Sequence, residues 1–123
     1  MDTSETYIKM CEKAGEIQRG KHYPKTMGQK IIFWENDVFA QISLLSINWK
    51  IVWLPRQDQL QAILDYSLAP LGMLWKFYYT VYGKETDEDK REYWCIFDSM
   101  EQLWLAFVMK EKFNKIWNGE DWI

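Results

Sequence analysis

The chain contains one histidine, His22, and two cysteines, Cys11 and Cys95, which are the first candidates for nucleophilic chemistry. A thiol becomes an effective nucleophile when a neighbouring base removes its proton, and a Cys11–His22 pair would be such an arrangement. Cys11, however, falls on the apolar side of a predicted helix, where a small buried thiol is the ordinary outcome. Because no signal peptide precedes them, both cysteines are predicted to be buried and reduced. No catalytic residue is predicted.

Acidic residues offer two further patterns, and neither matches a known site. The segment 87–92 would need an oxygen ligand in place of Arg91 and a glycine in place of Glu92 to resemble a calcium-binding loop. Asp58 and Asp65 fall on the solvent side of a predicted helix, whereas acid–base catalysis requires buried carboxylates. One histidine and two dispersed cysteines do not make a zinc site. The sequence predicts no metal and no cofactor.

Arg56 and Gln57 are the polar pair that suggests binding. Pro55 has its φ fixed near the helical value, so a helix is predicted to begin there and to run to Leu68. At 100° per residue, Arg56 and Gln57 fall on the apolar side of the first turn, where each needs a hydrogen-bond partner. Two interpretations stay open. The pair ties the helix to nearby carbonyl groups, or it holds an anion in the pocket of a small enzyme or ligand-binding domain.

Aromatic residues are unusually abundant, with eight Trp, seven Tyr and six Phe. They either form the core, or some of them form an interface, because Trp and Tyr are favoured at the centres of protein–protein contacts. A partner protein or a second copy of the chain, in a homodimer, is therefore expected. The candidate ligand or partner contacts are Arg56, Gln57, Trp53, Trp75, Tyr79 and Trp104.

A basic loop is the remaining candidate site. Lys21, Lys25 and Lys30 surround His22 and Tyr23, and exposed aromatic rings beside lysines can stack on bases. The formal net charge of −3 opposes extended contact with nucleic acid. Weak nucleic-acid binding through this loop is the less favoured alternative.

The spacing of apolar residues predicts an α+β fold in a single domain, residues 1–123. A first helix, capped by Asp2 or Thr3, ends near Arg19 and Gly20. An antiparallel β-meander follows, with one face on the helices and the other partly in water. Three helices complete the fold, and the last is central. The predicted strands are Ile31–Trp34, Val38–Leu44 and Ile47–Trp53, and the predicted later helices begin at Pro55, Leu71 and Ser99.

The last helix has the strongest pattern. Residues 103–109 are apolar on every side, which requires burial all round. Ser99 and Gln102 form a capping box at its start. The inward stripe continues to Trp117, the stop signal is Asn118–Gly119, and a tail with Trp122 and Ile123 is predicted to fold back. The run 93–97 is compatible with helix or strand.

Three stretches of the chain resemble a known family: WLPRQDQLQ at 53–61, SMEQLWLAFVMKEKF at 99–113 and WNGEDWI at 117–123. They resemble a group of small uncharacterised proteins of phages and prophages of Gram-positive bacteria. The resemblance implies a phage origin and an intracellular setting, and it supplies no catalytic residue. No apolar run reaches the ~18 residues of a membrane span. We therefore expect a non-enzymatic protein-binding or self-associating module in the cytoplasm of the host bacterial cell.

Overall fold

The computed structural model describes residues 1–24, 29–45, 48–64, 72, 75–76 and 97–123. It contains helices and a three-stranded antiparallel sheet, which confirms the predicted α+β class. The chain forms two compact units, residues 1–56 with 117–123, and residues 57–116. The single domain stays a prediction.

The first unit begins with two short helices, α1 (Glu5–Lys13) and α2 (Gly15–Gln18). Ser4, and not Asp2 or Thr3, caps α1, because its Oγ accepts a hydrogen bond from the Tyr7 N–H at 3.2 Å. The single helix predicted here is divided at Ala14, which leaves helical geometry with φ −89° and ψ 65°. The predicted apolar side is nevertheless correct. Its buried residues are Tyr7, Ile8, Cys11, Ala14 and Ile17.

The sheet consists of β1 (Ile31–Trp34), β2 (Asp37–Leu45) and β3 (Asn48–Leu54), in the order β1-β2-β3. Both pairings are antiparallel, so the predicted meander is confirmed. The β1–β2 turn has positive φ at Glu35 (50°) and Asn36 (66°), which matches the right-handed twist of a tight hairpin.

Both faces of the sheet are covered at its centre. Val38, Phe39 and Ala40 are consecutive on β2 and are all at most 3% exposed, although neighbouring strand residues point to opposite faces. The sequence predicts water on part of one face. The structure instead packs the Tyr23 ring against Phe39, with 5.5 Å between centroids. The segment that follows α2 therefore shields what the strand pattern alone would leave open.

Gln18 closes part of the outer edge of β3. Its Oε1 accepts a hydrogen bond from the Trp53 N–H at 2.9 Å, and its Nε2 donates to the Trp53 carbonyl oxygen at 3.0 Å. One side-chain amide therefore takes the place of a fourth strand at this position. The Tyr23 hydroxyl also donates to Gln18 Oε1 at 2.6 Å, which fixes the orientation of the amide.

The second unit contains α3 (Gln57–Leu64) and α4 (Met100–Phe113), which pack against each other. The helix predicted from Pro55 begins two residues later, and Leu60 and Leu64 are buried as expected. Gly72, Trp75 and Lys76 are helical. The remainder of the predicted 71–82 helix, the charged segment 84–92 and residues 93–96 lie outside the described residues.

The α4 helix confirms the central prediction. Every residue from Trp104 to Met109 is 0% exposed, so this part of the helix is enclosed all round. Ser99 Oγ accepts from the Gln102 N–H at 3.1 Å, and Gln102 Oε1 accepts from the Asp98 N–H at 3.0 Å. The helix ends earlier than predicted because Asn114 adopts the left-handed conformation, with φ 53° and ψ 44°.

The segment 117–122 returns to the first unit and packs on α1. Trp117 and Trp122 form an isolated antiparallel bridge, with 5.1 Å between ring centroids. Trp122 Nε1 donates to the Met10 carbonyl oxygen at 3.0 Å, in the last turn of α1, where carbonyl groups lack helical partners. The predicted fold-back is correct for Trp122, whereas Ile123 is 71% exposed.

Candidate protein-binding surface

The structure separates the six candidate contacts by exposure and by unit. Trp53 is 4% exposed and Trp104 is 0% exposed, so neither presents its ring to a partner. Trp75 is 62% exposed on the second unit. Tyr79 lies outside the described residues. Gln57 is half-buried as the first residue of α3.

Arg56 lies beside the β1–β2 turn of the first unit, where its Nη1 donates to the Asn36 carbonyl oxygen. The contact matches the structural interpretation of this residue. Glu35 and Asp37 line the same shallow groove, so their carboxylates oppose an anion there. The groove has a volume of about 610 Å³ and is lined by Met1, Phe33, Trp34, Glu35, Asn36, Asp37, Val38 and Arg56.

Two lysines of the basic loop are engaged within the chain. Lys21 Nζ lies 3.8 Å from the centroid of the Trp53 ring and 3.5 Å from Asp37 Oδ2. Lys30 Nζ lies 3.8 Å from Glu5 Oε1, in a pair with both side chains largely exposed. Lys25 lies outside the described residues. The loop therefore offers less free positive charge to nucleic acid than its sequence suggests.

The most exposed large apolar side chain among the described residues belongs to the edge strand β1. Phe33 is 75% exposed, although it is flanked by strand residues and lines the groove described above. Sequence reasoning missed it, because a run of four apolar residues is typical of a buried strand. Its only signal is the brevity of the strand between a loop and a turn, which suits a sheet edge.

The hydrogen-bonding directions of the strands can be followed from β3 to β1. Trp53 uses its backbone N–H and C=O on Gln18, away from β2. Trp53 is opposite Phe39 in the register, so the backbone groups of Phe39 point to β1. Phe39 is in turn opposite Ile32, whose groups therefore point back to β2.

The neighbours of Ile32 consequently direct their backbone groups outward. The N–H and C=O of Ile31 and Phe33 lie on the outer edge of β1, since directions alternate along a strand. The Gln41 N–H donates to the Lys30 carbonyl oxygen at 2.8 Å, which agrees with this alternation. Within the described ranges, the sheet has no strand beyond β1. The edge thus combines open backbone groups with an exposed aromatic ring.

A second groove of about 460 Å³ lies between α1 and β2. Its apolar floor includes Ile8 and Ile42, and its lining includes Glu5, Glu12 and Lys30. Glu5 and Glu12 are paired with lysines, at 3.8 Å and 3.3 Å. Charges of both signs that already pair with each other select no ligand chemistry.

Cys11 does not have the environment of a reactive thiol. It is fully buried and reduced, and burial raises its pKa well above the ordinary value of 9.0. His22, in contrast, is exposed. Among the residues that the structure describes, no three His, Cys, Asp or Glu side chains converge on a possible metal site. No described helix is long and apolar enough to cross a membrane.

We expect Cys11 to resist alkylation in the folded protein. In a Cys95→Ser background at pH 8, iodoacetamide is expected to modify Cys11 at least about a hundredfold more slowly than in urea, because the buried thiol stays protonated. Mass spectrometry of timed samples measures the rate. Comparable rates in both conditions would show that the thiol is accessible.

The same burial predicts a dependence of stability on pH. Above about pH 9 the unfolded thiol loses its proton while the folded thiol keeps it, so the free energy of unfolding falls as pH rises. Urea midpoints measured between pH 8 and 10 are expected to fall less steeply for Cys11→Ala than for the parent protein. Equal slopes would contradict this assignment.

No protein-family model, curated protein or solved structure matches this chain.

Proposed function

We propose that this chain is a non-enzymatic protein-binding module, phage-derived and intracellular, that binds through the β1 edge. We define the β1 edge surface as Met1, the outer side of Ile31–Trp34, and Glu35. The observation that carries the proposal is the 75% exposure of Phe33 on a strand whose outer backbone groups are open.

An open sheet edge favours a protein partner over other ligands. Extended chains add to such edges through main-chain hydrogen bonds, and side-chain contacts then give specificity. Soluble proteins usually protect edge strands with charge, proline or a covering element, because open edges pair with other chains. The residues Ile31–Trp34 contain neither charge nor proline. A retained aromatic edge is therefore explained more simply by binding than by stability.

The two alternatives receive less support. An anion pocket at the helix start would need Arg56 available, but its guanidinium is bonded to the turn and is accompanied by Glu35 and Asp37. Nucleic-acid binding would need a free basic loop, but Lys21 already lies against Trp53 and Asp37. A buried reactive group suited to catalysis is also missing from the described residues, apart from the protonated Cys11.

Site-specific photocrosslinking tests the proposal. Phe33→p-benzoylphenylalanine, irradiated in bacterial cells, is expected to give a discrete protein adduct, because this side chain would lie at the centre of the interface. Ile123, at 71% exposed, is the matched control position and is expected to give background only. Circular dichroism confirms that both variants fold.

An absence of adducts at position 33 under conditions that label a known control pair would refute protein binding through this edge. Adducts of equal yield at positions 33 and 123 would also refute it, since random collision would explain them.

A further inference from the structure

We propose that the β1 edge surface binds β1 of a second copy of this chain, antiparallel and about a two-fold axis. The two sheets then join into one six-stranded sheet. This inference rests on the proposed function and names its partner. The contact is isologous, so each copy contributes the same residues and the assembly closes at two.

The backbone geometry permits a complete register for this pairing. Antiparallel strands exchange hydrogen bonds between residues whose groups both point across the junction. Ile31 and Phe33 are the outward residues, so Ile31 of one copy would be opposite Phe33 of the other. Ile32 then faces its own counterpart on the axis. Each Ile31–Phe33 pair exchanges two bonds, so both outward residues of β1 are used.

The side chains also suit this register. Phe33 packs beside Ile31 of the second copy, and an aromatic ring next to a β-branched side chain is a favourable cross-strand pair. The contact occurs twice by symmetry. It covers the ring that is 75% exposed in the single chain. Exposure of Phe33 is thereby explained without a further partner.

Charge decides between a second copy and an arbitrary extended peptide. Lys30 precedes β1, and Glu35 follows it, while the strand itself is uncharged. Antiparallel pairing brings the start of one strand beside the end of the other, so each Lys30 approaches Glu35 of the second copy. Both side chains are exposed. The present contact of Lys30 with Glu5 is between exposed groups and is weak enough to be replaced.

Paired charge reversals test this arrangement in the full chain. Lys30→Glu leaves two acidic ends and Glu35→Lys leaves two basic ends, so each homodimer is expected to dissociate about tenfold more readily than the parent dimer. An equimolar mixture of the two variants is expected to form a heterodimer of near-parental affinity. Sedimentation equilibrium measures all four samples, and native mass spectrometry identifies the mixed species.

Recovery in the mixture cannot come from a change within one chain, because the two reversals are on different molecules. Lys112→Glu reverses another exposed charge and is the matched control, expected to leave the dimer unchanged. Amide exchange adds a residue-level measurement. Protection of the Phe33 amide should increase with protein concentration, whereas the Ile32 amide, which faces β2, should be protected throughout.

A parent protein that stays monomeric at high micromolar concentration would overturn the self-pairing. A dimer indifferent to both reversals would overturn this interface. If position 33 still crosslinks to a different protein in cells, the proposed protein-binding function stands and only the identity of the partner fails. If it crosslinks to nothing, both proposals fail.

Discussion

Replacement of Trp104 by alanine is expected to lower the free energy of unfolding by about 3–5 kcal/mol, the largest effect predicted for any single residue of this chain. Trp104 is 0% exposed and begins a run of six fully buried residues on α4. Its ring packs against Phe107, with 5.7 Å between centroids. Removal of the indole leaves a cavity that an enclosed helix cannot collapse to fill.

Trp104→Phe is expected to be much milder, at about 1–2 kcal/mol. Among the residues that the structure describes, the buried indole Nε1 has no hydrogen-bond partner. A phenyl ring removes this unsatisfied donor, which offsets part of the lost contact area. Urea unfolding followed by far-ultraviolet circular dichroism measures both variants.

Phe113→Ala is the control on the same helix, because its side chain is 37% exposed and lies at the helix end. We expect a loss below about 1 kcal/mol there. Equal losses for Trp104→Phe and Trp104→Ala would show that the indole nitrogen does contribute a hydrogen bond. Equal losses for Trp104→Ala and Phe113→Ala would show that the enclosed part of α4 is not the centre of its unit.

The start and the enclosed part of α4 could be predicted because both are local properties. Ser99 and Gln102 satisfy backbone groups within four residues, and an all-apolar helix must be buried wherever it lies. The end of the same helix could not be predicted. Asn114 leaves the helix although lysines and an apolar stripe continue past it, because the return path of segment 117–122 to α1 is set by tertiary packing.

The sheet shows the same division. Alternating residues predict three strands and their antiparallel order, which the register confirms. They cannot predict that Gln18 and Tyr23 cover the second face, since these residues are distant from the strands in sequence. Periodicity also cannot distinguish an edge strand from a central one. The run of four apolar residues in β1 therefore gives no sign that Phe33 is exposed.

Residue type selects the candidate surface from the sequence, and the structure reorders that selection by accessibility. Trp53 and Trp104 are core residues, so the aromatic surplus is partly explained by the two interiors. The accessible aromatic at an open edge is Phe33, in a strand between a lysine and a glutamate. Arg56 remains near this surface, as a brace on the adjoining turn. The association expected from abundant Trp and Tyr therefore stays a prediction, and its test moves to the edge strand.

Trp122→Ala is expected to lower the free energy of unfolding by about 3 kcal/mol, because one substitution removes a buried ring and a hydrogen bond. The ring is 6% exposed and packs on Trp117. Its Nε1 also satisfies the Met10 carbonyl oxygen at the end of α1. Trp122 lies 112 residues from Met10 in sequence, so it anchors a long-range contact of the first unit.

Two further substitutions divide this effect into its parts. Trp122→Phe keeps most of the ring contact and loses the donor to Met10, so a loss of about 1 kcal/mol is expected. Ile123→Ala changes the adjacent residue, whose side chain is 71% exposed, and is expected to change stability by less than about 0.5 kcal/mol. Thermal and urea unfolding of the three variants measure the series. If Ile123→Ala matched Trp122→Ala, the segment would stabilise the unit through its backbone rather than through the tryptophan, and the contact with Met10 would be incidental.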